Sequence, residues 1–145
     1  MIYLGADKHG LKTIKIVENY LKNNNINCVN LGINKDGEDI KLEDLIPKVT
    51  KKILESENNK GVLVCGTGIG VAVGANKTKG VRANLATEKM IAEWSVVYDN
   101  CNVLCLVGWE PNKKNIEEIV NSFLNAKYDG SKSRLQMMKV FDSWR

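Results

Sequence analysis

The ten residues Gly61-Val62-Leu63-Val64-Cys65-Gly66-Thr67-Gly68-Ile69-Gly70 decide how the rest of the chain is read. Gly61–Cys65 is an apolar run with no polar alternation, the pattern of a strand buried on both faces, and such strands belong to parallel sheets covered by helices on each side. Three alternating glycines then lead into a helix expected to begin within Ile69–Lys77. Glycine lets the backbone approach a ligand closely and turn its N–H groups toward it. At a helix start those amides cradle an oxyanion or phosphate and favour the thiolate of a neighbouring cysteine. A base beside such a cradle is what proton abstraction next to a carbonyl requires. The same residues also fit a tight strand-to-helix turn whose glycines serve packing alone. A dinucleotide fingerprint fits poorly, because the spacing is G-x-G-x-G and follows the third strand. No Gly-Lys-Thr/Ser completes a Walker-type loop; Asn76-Lys77-Thr78 is the nearest approach.

Outward from this segment, short β-rich runs alternate with helical patterns. Strands are expected at Ile2–Gly5, Asn27–Leu31, Gly61–Cys65, Val81–Leu85 and Val103–Val107. Lys12–Asn23 carries Ile14, Val17, Tyr20 and Leu21 at helical spacing, and Leu42–Leu54 carries Leu45, Ile46, Val49 and Ile53. Glu88–Tyr98, Asn115–Asn125 and Lys132–Trp144 complete the helices. Regular alternation of strand and helix implies an α/β fold: a doubly wound, Rossmann-like three-layer sandwich with a five-stranded parallel sheet flanked by helices. No linker or repeat divides residues 1–145, which read as one domain. The last helix has no strand after it and is expected to reach beyond its own sheet, toward a partner subunit.

The 145 residues are 43% hydrophobic and 26% charged, with a formal net charge of +4, which is ordinary for a globular protein. The basic excess is scattered among acids rather than clustered with aromatics, so nucleic acid is not an expected partner. Met1–Gly5 turns polar too soon for a signal peptide, and no apolar run approaches a membrane span. The expected location is the cytoplasm, where Cys28, Cys65, Cys101 and Cys105 remain thiols. Three of these read as small core residues, and Cys65 as the exception.

Ligands of such sheets bind beyond the strand carboxyl ends. On that rule three segments are candidates: Gly5–Gly10, Cys65–Gly70 and Tyr98–Asn102. Asp7 suits either a helix cap or sugar hydroxyls, and Lys8 could meet an anion. His9, the only histidine, is either a solvated loop residue or the source of any imidazole chemistry. Tyr98-Asp99-Asn100-Cys101-Asn102 reads equally as turn chemistry or as a proton donor with hydroxyl ligands.

Gly61–Lys77, GVLVCGTGIGVAVGANK, resembles the diagnostic segment of the ribose-5-phosphate isomerase B family, which includes the galactose-6-phosphate isomerase subunits. Gly80-Val81-Arg82-Ala83, Asn102–Leu106 and Ala126-Lys127-Tyr128-Asp129-Gly130 continue the resemblance, which covers essentially the whole chain. It implies a cofactor-independent and metal-free aldose–ketose isomerase working through a cis-enediolate. Cys65 would take the proton from the sugar carbon and Thr67 would assist at oxygen. Amides of Gly66, Gly68, Ile69 and Gly70 would hold the enediolate oxygen, and Asp7 would bind hydroxyls or help open the ring. The resemblance also implies a homodimer or tetramer, its active sites at the subunit interface and the Tyr98–Asn102 segment supplied by the neighbour. The alternative is a non-catalytic sugar-binding or assembly subunit of a mixed oligomer.

Departures from the family pattern fall on substrate contacts. Lys8 replaces a histidine, Tyr98 a ring-opening histidine and Asp99 an asparagine; Trp109, Lys132 and Gln136 stand where arginines are expected, and Ser133 where a histidine is. At the start of the second helix, Lys41-Leu42-Glu43 replaces Asp-Tyr-Pro. Lysine offers a phosphate only a point charge where arginine offers a bidentate fork. Lys8, Lys132 and Arg134 could rebuild part of a phosphate pocket, and Asp99 could hold hydroxyls. The expectation is a small sugar or sugar phosphate other than ribose 5-phosphate, with ring opening by Tyr98 or His9.

Overall fold

A computed structural model describes residues 1–145. Five strands, β1 (Ile2–Ala6), β2 (Cys28–Asn30), β3 (Lys60–Cys65), β4 (Ala83–Leu85) and β5 (Val103–Val107), form one all-parallel sheet in the order β2-β1-β3-β5-β4. Six helices accompany them: α1 (Leu11–Asn23), α2 (Leu42–Ile53), α3 (Ile69–Ala75), α4 (Lys89–Val97), α5 (Lys113–Asn125) and α6 (Lys132–Ser143). The doubly wound α/β sandwich read from the sequence is therefore present. The central strands β1, β3 and β5 agree with their apolar runs. The edge strands β2 and β4 are shorter than Asn27–Leu31 and Val81–Leu85, because each pairs on one side only.

Strand side chains alternate between two cores. Leu4, Val62, Val64, Leu104 and Leu106 point into one, closed by α1, α4 and α5 through residues such as Ile14, Val17, Ala92, Ile119 and Phe123. Leu63, Cys65, Val103 and Cys105 point into the other, closed by α2 and α3 through Leu45, Ile46, Val49, Ile53 and Val71. The second core is thin because α2 lies close to the sheet: a Cβ on Gly61 would come within 2.4 Å of Ile53. Cys101 and Cys105 are core residues as expected. Cys28 is not. It sits half-buried on edge strand β2, where one flank lacks a neighbouring strand.

The helix α6 stands apart. Only Met138 is buried, while Leu135, Met137, Val140, Phe141 and Trp144 are exposed. It is tethered to the α3–β4 connection, where the Gly80 N–H donates to Asp142 Oδ1 (2.9 Å) and the Arg145 guanidinium donates to the Lys77 carbonyl (3.3 Å). At the free edge of β4, the Asn76 carboxamide mimics a strand residue. Its Nδ2 donates to the Ala83 carbonyl and its Oδ1 accepts from the Ala83 N–H, both at 2.9 Å.

Candidate active site

Chain order β1-α1, β3-α3 and β5-α5 brings three loops together beyond the carboxyl ends of the central strands, β1 and β3 being where the winding of the sheet reverses. From β1, Asp7 caps the single 3-10 turn Lys8–Gly10: its Oδ1 accepts the N–H of His9 (3.0 Å) and of Gly10 (3.1 Å). Oδ2 is left with no bond within the chain. From β3 come Cys65 and the glycine segment. From β5 come Gly108 and Trp109, whose N–H groups both donate to the Gly66 carbonyl (3.0 and 3.2 Å). Gly108 is the point of closest approach. A Cβ there would lie 2.3 Å from the Cys65 carbonyl oxygen and 2.4 Å from that of His9. Thr13, fully buried on α1, fixes the same corner by donating its hydroxyl to the carbonyls of Val107 (3.0 Å) and Gly108 (3.3 Å).

Cys65 ends β3 with its side chain toward α3, and 6% of it is exposed. Its Sγ lies 3.9 Å from where a Gly70 Cβ would be, so the thiol faces the first turn of α3. Gly68 precedes that turn in the left-handed region (φ 75°), where a Cβ would also strike Leu85 at 2.6 Å and the Leu106 carbonyl oxygen at 2.8 Å. No side chain but hydrogen fits. The opening amides of a helix have no intrahelical acceptor; here the Ile69 N–H is met by Thr67 Oγ1 (3.1 Å). Thr67, Ile69 and Gly70 are open to solvent, so the mouth is accessible although the thiol is recessed. Burial raises the other three thiols: Cys28 upward, Cys101 to about 11, and Cys105 further still.

Lys8 does not stand free for an anion. Its ammonium pairs with Asp39 (3.3 Å), and its N–H donates to the same carboxylate (3.4 Å). Desolvation raises the Asp39 pKa, but the N–H groups of Lys8 and Ile40 and the Lys8 ammonium together outweigh it and hold it below the ordinary value. His9 is exposed and meets Trp109 edge to face, with centroids 6.0 Å apart.

The third segment corrects the sequence reading. Tyr98–Asn102 precedes β5 and therefore lies at the amino ends of the strands. Four residue steps of β5 alone, about 13 Å, separate its far end from the Cys65 level. Arg82 ties this edge together through Asn100 and Asn102. Arg134 lies over the Tyr98 ring at 5.0 Å and pairs with Asp129 (2.8 Å). Lys132 and Gln136 extend from the same α6 turns into solvent, and Asp99 is exposed beside Tyr98. One chain thus gathers Asp7, Lys8, His9, Cys65, Gly66, Thr67, Gly68, Ile69 and Gly70 at one edge. It leaves Tyr98, Asp99, Lys132, Arg134 and Gln136 at the other. A cavity of about 340 Å³ lies at the second edge, between α6 and β4, lined by Arg82, Asp99, Met137, Phe141 and Trp144 among others; the Cys65–Gly70 segment does not line it. Thr13, Asp39 and Gly108 were not foreseen. Gly108 follows the rule of strand carboxyl ends, whereas Thr13 and Asp39 depend on contacts far apart in sequence.

Fold and mouth suit an aldose–ketose isomerase of sugar phosphates, and it is the comparison with known proteins that shows this class. The chain belongs to the Ribose/Galactose Isomerase family, whose model matches residues 2–140. It is 36% identical over 141 residues to a protein of Mycoplasma genitalium named as a probable ribose-5-phosphate isomerase B, covering 96% of this chain and 92% of that one. Among solved structures, ribose 5-phosphate isomerase B of Thermotoga maritima superposes with a TM-score of 0.91 at 29% identity (98% and 97% of the two chains). The Mycoplasma genitalium enzyme with bound ribulose-5-phosphate gives 0.87 at 33% identity (99% and 95%). No helix is long and apolar enough to cross a membrane.

Proposed function

We propose that residues 1–145 act as one domain that interconverts an aldose phosphate and a ketose phosphate of pentose or hexose size, without a cofactor, through a cis-enediolate. Cys65 is the base: its thiolate removes the proton from the sugar carbon beside the carbonyl and returns it to the neighbouring carbon. Thr67 handles the proton at oxygen, and the amides of Gly66, Gly68, Ile69 and Gly70 hold the enediolate oxygen. Asp7, through its unoccupied Oδ2, binds hydroxyls. The observation that carries this reading is the placement of Cys65 at the end of the central strand, facing the amide-rich first turn of α3.

The same proposal includes a second subunit. Tyr98 as acid, with Asp99, Lys132, Arg134 and Gln136 as substrate contacts, can meet Cys65 only if a neighbouring copy presents its amino edge to this carboxyl edge. A homodimer or tetramer with active sites at the interface is therefore part of the reading. With Trp109, Lys132 and Gln136 in place of arginines, turnover of ribose 5-phosphate is expected to be slower than in ordinary family members. A cytoplasmic location suits the four free thiols.

A panel of aldoses and ketoses, with and without 5- or 6-phosphate, incubated with the protein in deuterated water tests this directly. Interconversion with deuterium entering the sugar is expected. Binding with no exchange would instead define a sugar-binding subunit.

A further inference from the structure

We propose that Trp109 is a stacking platform that holds the substrate as its closed ring before that ring opens. The proposal rests on the isomerase reading and extends it to a residue that takes no part in proton transfer. Trp109 is 55% exposed, yet it is not loose. Its N–H and that of Gly108 are bonded to the Gly66 carbonyl, and its indole lies against Gly66 so closely that a Cβ there would meet the ring at 2.5 Å. The next residue, Glu110, takes the left-handed conformation (φ 51°), an uncommon one for a side-chain-bearing residue. The buried Thr13 hydroxyl anchors the backbone just before it. A large aromatic is thus held by four separate constraints with more than half its surface open, one residue from the Cys65 backbone.

Ligand sites combine aromatic surface with a few convergent polar groups. The electron-rich face of an indole attracts the weakly positive C–H hydrogens on one side of a sugar ring. His9, edge to face with Trp109, and Asp7 at the start of the same turn supply the polar groups for the ring's hydroxyls. Opening the ring breaks the bond from the anomeric carbon to the ring oxygen. The proton leaves the anomeric hydroxyl and a proton arrives at the ring oxygen, so no co-reactant is consumed. An open chain presents no continuous C–H face, so the platform discriminates between the two forms.

Ribose 5-phosphate and ribulose 5-phosphate are suitable paired probes. The aldose closes through its 4-hydroxyl, whereas the ketose cannot form the five-membered ring because its 5-oxygen carries the phosphate. On a Cys65→Ala background, which prevents interconversion, calorimetry should show Trp109→Leu raising the Kd of ribose 5-phosphate about tenfold and that of ribulose 5-phosphate less than twofold. Trp109→Phe should restore most of the aldose affinity. Equal losses for both sugars, a leucine variant as good as the phenylalanine one, or failure of ribose 5-phosphate to bind would overturn the platform. Absence of interconversion of any panel sugar by the unmodified protein would overturn the isomerase reading itself.

Discussion

The two edges of the sheet are built on opposite plans. At the carboxyl edge, Gly68 and Gly108 remove side chains where backbones must touch, Gly66 does so where the Trp109 indole lies, and the loops meet through carbonyls and amides. At the amino edge, side chains do the joining: Arg82 to Asn100, Asn102 to Gly80, Asp142 to Gly80, Arg134 to Asp129. The first plan sets main-chain groups in a fixed array; the second presents long, adjustable groups. On the proposed mechanism the first would serve as oxyanion cradle and the second as substrate grip, and a single chain keeps them at opposite ends of its strands.

The sharpest way to break this division of labour is at Cys65. Cys65→Ala is expected to lower kcat about 10²–10⁴-fold, the usual contribution of a positioned base, with the protein still folded by circular dichroism. The two edges can then be tested against one another. Cys65→Ala and a Tyr98→Ala/Arg134→Ala variant, each inactive alone, should regain roughly a quarter of wild-type activity after mixed refolding, because a two-fold symmetric heterodimer has one intact site. No recovery would mean that the two edges do not meet across a subunit interface.

Smaller effects sharpen the contrast. Gly68→Ala should lower the unfolding free energy by about 3 kcal/mol in urea titrations, since the added Cβ is strained at φ 75° and strikes Leu85. The amino edge has its own signature in alkali. Burial first, and the charge of Asp99 second, push Cys101 from 9.0 to about 11, so its thiol contributes stability below pH 9 that is lost as pH rises toward 11. Wild type should lose roughly 2 kcal/mol more than Cys101→Ala between pH 8 and 11. Thr13→Val, which removes one buried donor shared by two carbonyls, should cost about 1 kcal/mol and blunt the carboxyl edge alone.

What the sequence disclosed follows from where the physics is local. The apolar runs of β1, β3 and β5 are legible because burial on both faces leaves no polar residue in them. Cys65 and its glycines are legible because a strand, a turn and a helix start are contiguous. Tyr98–Asn102 was assigned to the wrong edge because its composition says loop and carries no direction; only its position before a strand does. Gly108 and Thr13 were not singled out because close approach between β5, β1 and α1 is a tertiary fact. Lys8 looked free because its partner, Asp39, lies 31 residues away.

The carboxamide of Asn76 on Ala83 has a consequence for assembly. Pairing of a sixth strand along an open border is how sheets fuse between molecules, and a three-residue strand whose Ala83 N–H and C=O are already occupied offers a poor template for it. Any contact between copies along this border would therefore run through side chains rather than through a continuous ladder, which would leave the mutual orientation adjustable by single substitutions.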